Sequence, residues 1–201
     1  MTKKNAIPLD KTRRTLYLIL VFSAIITIVL LGCYKEKATE SKGAGPVTES
    51  KGTVPCEVYD KLPGDIAKSA EVNYGNKIKL VGITVNKISR NQLEISYYWQ
   101  LLDVLDQYKQ VFVHFTDATN YKILFQGDHL FCQNHSIEEI KGKFIKETHV
   151  VNIPQSAMGK KINIMIGVYA PELKSAPRLK VESTSGVPVI GNAATFEKFS
   201  L

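Results

Sequence analysis

Imidazoles and thiols carry most of the chemistry open to this chain. His114, His129, His135 and His149 are its only histidines, and they share one short stretch with the acids Asp117, Asp128 and Glu147. Imidazole and carboxylate together could hold a metal, but structural zinc sites ask for ligands paired at close spacing along the chain. The segment "HLFCQNH" meets that demand, because His129, Cys132 and His135 follow one another at intervals of three. These three are the candidate metal ligands; the competing assignment is hydrogen bonding by ordinary strand and loop residues. Three cysteines are present, and with Cys33 set apart at the end of an apolar run, Cys56 and Cys132 remain as a candidate disulfide. Such a bridge would close a long loop and contribute roughly a few kcal/mol by restricting the unfolded chain. Two free thiols are the alternative.

Catalytic patterns are missing. There is no G-x-S-x-G elbow, no H-E-x-x-H, no phosphate-cradling glycine loop and no dinucleotide fingerprint. The pair Glu138-Glu139 is one of many carboxylate pairs such a chain offers. The expectation is therefore a protein with no catalytic residue and no cofactor. Side chains suited to ligand contact are the aromatics Tyr98, Tyr121 and Tyr169, which could stack on a sugar, together with His114.

The elements that must position these residues read as strands. In "LEISYYWQ" Leu93, Ile95, Tyr97 and Trp99 fall on one face, and Glu94, Ser96, Tyr98 and Gln100 on the other. In "KINIMIGVY" Ile162, Ile164, Ile166 and Val168 alternate in the same way. A period of two is that of a strand with one face on a core. The segment "KIKLVGITVNKI" shifts phase at Gly82, which predicts a β-bulge. Further strands are expected at "QVFVHFTD", "YKILFQG", "KETHVVNIP", "RLKVES" and "AATFEKF", and a helical turn at "PGDIAKSAE". His114 lies opposite Val111, Val113 and Phe115, hence on an outer face. Trp99, the single tryptophan, is placed as a core anchor, with a ligand-stacking platform as the alternative. Seven or eight such strands predict an all-β domain over residues 57–201, an antiparallel immunoglobulin-like β-sandwich.

Ahead of that domain the composition changes twice. Residues 1–15 are basic, Leu16 to Leu31 is an apolar run, and Gly32-Cys33 closes it, which is the layout of a secretory signal or an N-terminal anchor helix. Residues 33–56 are rich in Lys, Glu, Ser, Thr and Gly and read as a flexible tether. The formal charge of +7 falls to +3 once residues 1–32, with five bases and one acid, are set aside. The remaining bases are interleaved with acids, so a nucleic-acid partner is excluded.

Two resemblances extend this reading. "LLGC", Leu30 to Cys33, resembles the lipobox of bacterial lipoproteins, which implies cleavage before Cys33 and diacylation of its sulfur. An uncleaved anchor gives the same topology, with the basic end cytoplasmic and the rest exported. The segments "NYGNKIKLVGITV", "YYWQLL", "YKQVFVHFTD", "GDH", "VNIP", "IGVYAP" and "RLKV" together resemble a soluble β-sandwich domain that follows the multi-pass membrane part of bacterial and archaeal glycosyltransferases of the protein-mannosyltransferase and oligosaccharyltransferase type. The resemblance runs from Val72 to Phe199 and is best at Tyr98, Trp99, Phe112, His114, Asp128, His129 and Tyr169. It implies the sandwich and an extracytoplasmic location, not transferase activity, whose residues lie in membrane segments outside this sequence. The expected function is a membrane-tethered, non-catalytic binding or accessory module at the periplasmic face or cell surface, with a glycan, an envelope polymer or an envelope protein as partner. A structural subunit of an envelope or secretion complex is the alternative.

Overall fold

A computed structural model describes residues 54–201. The signal or anchor over residues 1–32, the lipidation of Cys33 and nearly all of the tether lie outside the described residues. No helix among them is long and apolar enough to cross a membrane.

Twelve strands build two antiparallel sheets. β1 is Cys56–Tyr59, β2 Lys68–Tyr74, β3 Ile78–Ser89, β4 Gln92–Leu101, β5 Gln110–Asp117 and β6 Ile123–Gln126. β7 is His129–Leu130, β8 Phe144–Asn152, β9 Lys161–Tyr169, β10 Val181–Ser185, β11 Val189–Ile190 and β12 Ala193–Ser200. The first sheet runs β1-β8-β4-β3-β2-β10; the second runs β11-β12-β9-β5-β6, with β7 also paired to β5.

The alternating segments form strands because each can turn a complete apolar face inward. Leu93, Ile95, Tyr97, Trp99 and Leu101 from β4 and Ile162, Ile164, Ile166 and Val168 from β9 join one buried cluster with Val111, Val113 and Phe115 of β5. The two sheets are also tied by a polar link across that core. The Tyr74 hydroxyl donates to the Ile166 carbonyl at 2.7 Å and accepts the Ala194 amide at 3.1 Å. Trp99 is fully buried within the cluster, which excludes it as a ligand-stacking platform.

The phase shift at Gly82 is a bulge. Leu80 faces Trp99 and Gly82 faces Tyr98, leaving Val81 as the extra residue. A Cβ at Gly82 would stand 2.5 Å from both the Ile66 methyl and the Lys68 carbonyl oxygen, so only glycine lets β2 cross this close. The segment expected as a helical turn, Pro63 to Glu71, contains no helix. Its second half is β2, where Ala70 and Val72 point inward while Ser69 and Glu71 are exposed, a period of two that outweighs the local helical propensity. The domain also begins earlier than the composition suggests: Val54 is buried and β1 opens at Cys56.

Candidate functional site

Two clusters of polar and aromatic side chains stand out, one inside the core and one on the outer face of the second sheet. The inner cluster is built by β4, β7 and β8. Along β8, Ile145, Glu147, His149 and Val151 share the inward face, so a carboxylate and an imidazole enter the core at positions where the pattern calls for apolar residues. Glu147 is completely buried. Its carboxylate accepts the Trp99 indole N–H at 2.9 Å and the Cys132 amide at 2.8 Å, and lies 3.5 Å from the His129 Nε2. His129 in turn packs its ring 5.3 Å from Tyr97 and 5.1 Å from His149, and its Nδ1 bonds the Gly127 carbonyl at 3.0 Å.

Burial sets the electrostatics here. Desolvation is the largest single influence and opposes a charge on His129, but Glu147, with help from the Gly127 carbonyl and Asp128, outweighs it and holds the imidazole above its ordinary pKa. His149 has no such direct partner. Burial and the neighbouring His129 push it down to about 4. The Tyr97 hydroxyl is raised well above its usual value, first by burial and then by Glu147, and within the described residues it has no hydrogen-bond partner. The cluster therefore works as an inter-sheet clamp, with β7 of the second sheet held to β4 and β8 of the first.

The outer cluster sits where β5 and β9 run side by side. Phe112 faces Gly167 across the pair, and a Cβ there would be 2.4 Å from the ring and 2.8 Å from the Asn192 carbonyl. Glycine thus lets the Phe112 ring lie flat on the sheet. Tyr169 meets that ring edge-on at 6.1 Å, His114 packs at 5.0 Å, and the Arg178 guanidinium covers it at 4.3 Å while donating to the Gly191 carbonyl. Asp128 completes the group. Its carboxylate accepts the Val113 amide at 2.9 Å and stands 3.9 Å from the His114 Nε2. Burial raises the Asp128 pKa and lowers that of His114, so each keeps its uncharged form more readily than the free side chain. Arg178 is exposed and Tyr169, His114 and Asp128 are part-exposed, which leaves an aromatic, a carboxylate, an imidazole and a guanidinium reachable from solvent.

Of the ligand-contact residues expected from the sequence, His114 and Tyr169 come together here. Tyr121 does not: it follows the Asp117 end of β5, whereas Tyr169 pairs with Gln110 at the other end, about 24 Å away along an extended strand. Tyr98 is a correction. Although it lies on the outer face of β4, it is 1% exposed, with its hydroxyl 3.3 Å from the Asp65 carbonyl and the Lys146–Asp65 ion pair closing over the ring. It offers no stacking surface.

The metal triad is also corrected. Cys132 is bridged to Cys56, and His129 turns into the core toward Glu147, so His129, Cys132 and His135 do not converge. Only His135 remains exposed beside the bridge. A separate cleft of about 310 Å³ opens between β2 and β12, lined by Lys68, Ser69, Gly186, Thr195 and Glu197 among others. The chain matches no protein-family model, and no curated protein or solved structure is detectably similar to it.

Proposed function

We propose that this protein is a membrane-tethered, non-catalytic binding or accessory module of the cell envelope, its immunoglobulin-like sandwich displayed on the extracytoplasmic side and its Tyr169–Arg178 face turned to a glycan or envelope polymer. The observation that carries the reading is the outer cluster. The Phe112 ring is itself buried under Arg178, and around it the part-exposed Tyr169, His114 and Asp128 and the exposed Arg178 bring one aromatic edge and a few polar groups together at the surface, as ligand sites do. Export is supported by the Cys56–Cys132 bridge, since disulfides persist in oxidising compartments. The resemblance of its sequence segments to the soluble domain of membrane glycosyltransferases, which no comparison supports, and the lipobox-like "LLGC" belong to the same reading.

A structural subunit that adds its sheet edge to a larger assembly is the weaker reading. The strands at the sheet ends, β1, β10, β6 and β11, span only two to five residues, too short to template another chain.

Two measurements test the proposal. The intact mass of the protein extracted with detergent from its native host is expected to begin at Cys33 and carry a diacylglyceryl group; a full-length mass replaces lipidation with an anchor helix. Titration with envelope polysaccharide is expected to lose about tenfold in affinity for Tyr169→Ala, the equivalent of roughly 1.4 kcal/mol, and nothing for Tyr121→Ala. Equal affinities for wild type and Tyr169→Ala would remove this face from the proposal.

A further inference from the structure

The bridge and its neighbour hold one more donor set. Cys56 opens β1, Cys132 follows β7, and His135 lies one turn further, its amide donating to the Cys132 carbonyl at 3.3 Å. The two sulfurs and the nearest imidazole nitrogen of His135 all lie within 4.8 Å of one another. A metal ion bound in one plane by two thiolates and an imidazole keeps its donors about 4 Å apart, given bonds of about 2.0 to 2.3 Å. The bonded sulfurs sit inside that spacing, and the imidazole nitrogen lies within 4.8 Å of both.

What keeps them in place without the bridge is the backbone. Cys56 is paired in the ladder opposite Glu147 of β8, and the Cys132 amide is held by the Glu147 carboxylate at 2.8 Å. Both anchors are independent of the sulfur–sulfur bond. We propose that the dithiol form of this chain binds one Cu⁺ ion through Cys56, Cys132 and His135, and that disulfide formation closes the site. Two thiolates and one imidazole, with no fourth His, Cys or carboxylate in the group among the described residues, form a soft three-donor set. Such a set completes the three-coordinate sphere Cu⁺ accepts, whereas Zn²⁺ would have to recruit a water as its fourth ligand, and the competition between the two ions is part of the test. Cys132 is buried, Cys56 half-buried and His135 exposed, so the ion enters on the histidine side.

The chemistry balances. Every chain is synthesised with both cysteines as thiols, so a newly exported copy presents the site before oxidation. In a bridged copy, an external dithiol breaks the sulfur–sulfur bond, delivering two electrons and two protons and becoming a disulfide itself. As Cu⁺ binds, each thiol releases its proton to water and the metal keeps its charge.

The test uses the full chain carrying Cys33→Ser, so that only two thiols remain. After reduction and removal of the reductant without air, it is titrated with Cu⁺ against a chromophoric Cu⁺ chelator. One Cu⁺ per reduced chain, none in the bridged chain, and an X-ray absorption spectrum with two sulfurs and one nitrogen are the expected results. His135→Ala is expected to weaken binding at least about tenfold, since even groups outside the coordination sphere cost about that much. Unchanged affinity in His135→Ala overturns the site as drawn, and so does tighter binding of Zn²⁺ than of Cu⁺. Loss of the β-sheet circular dichroism on reduction, or a folded dithiol chain that takes up no Cu⁺, overturns it as well.

Discussion

Glu147 and His149 show most plainly what a single side chain reveals and conceals. Read along β8 with a period of two, they fall in line with Ile145 and Val151, so the strand pattern does place both in the core. Polarity argues for the opposite face, and only the partners supplied by distant segments, Trp99, Cys132 and His129, make the burial tolerable. Those partners are invisible to local pattern. Trp99 was legible as a core anchor because large apolar surface has one favourable place to go, whereas Tyr98 was misread because nothing local marks Asp65 as its cover. The inner histidines also fix how stability depends on pH. His149 titrates at about 4 when folded against 6.5 when free, so the stability it contributes is complete above 6.5 and is lost as pH falls toward 4. That loss amounts to about 3 kcal/mol. His129, raised when folded, has the opposite sign, and its contribution fades as pH rises through its folded pKa. Urea unfolding between pH 4 and 8 should therefore show a maximum, and His149→Phe should flatten its acid limb; an acid limb unchanged by that substitution would assign it to other groups.

Elements were more legible than residues. β3, β4, β5, β8, β9 and β12 all lie where alternation placed strands, because each buries one continuous face. The bulge at Gly82 was legible from a one-residue change of phase, and the shifted register is its structural form. β7 and β11 were not, since two residues carry no period. β2 overlaps the end of "PGDIAKSAE", the segment expected as a helical turn, and its pairing with β3 and β10 decides otherwise. At this scale the bulge is the sensitive point. Gly82→Ala must displace the Ile66 side chain and the Lys68 carbonyl, and should cost about 1 to 3 kcal/mol in chemical denaturation. A change below about 0.5 kcal/mol would mean that β2 moves aside freely.

For the whole domain, the dominant constraint is the covalent tie between Cys56 and Cys132, 76 residues apart. Both cysteines were legible as a pair by elimination, but nothing in the sequence says that β1 and the β7 turn meet. Reduction should lower the unfolding free energy by about 4.5 kcal/mol, the chain-entropy value for a loop of this length, with a shift in denaturation midpoint as the readout. An unaltered midpoint would show that β1 is already held by its ladder with β8. The same bridge also has a mechanical side. A pull arriving from the Val54 end reaches Cys56 within two residues and then crosses through sulfur to Cys132, bypassing β1 to β7. At about 3.5 Å per extended residue, roughly 260 Å of slack is withheld from the line of force. A domain hauled by its amino-terminal side would extend only from β8 onward, and the strands enclosed by the bridge could not be drawn out while the bridge is intact.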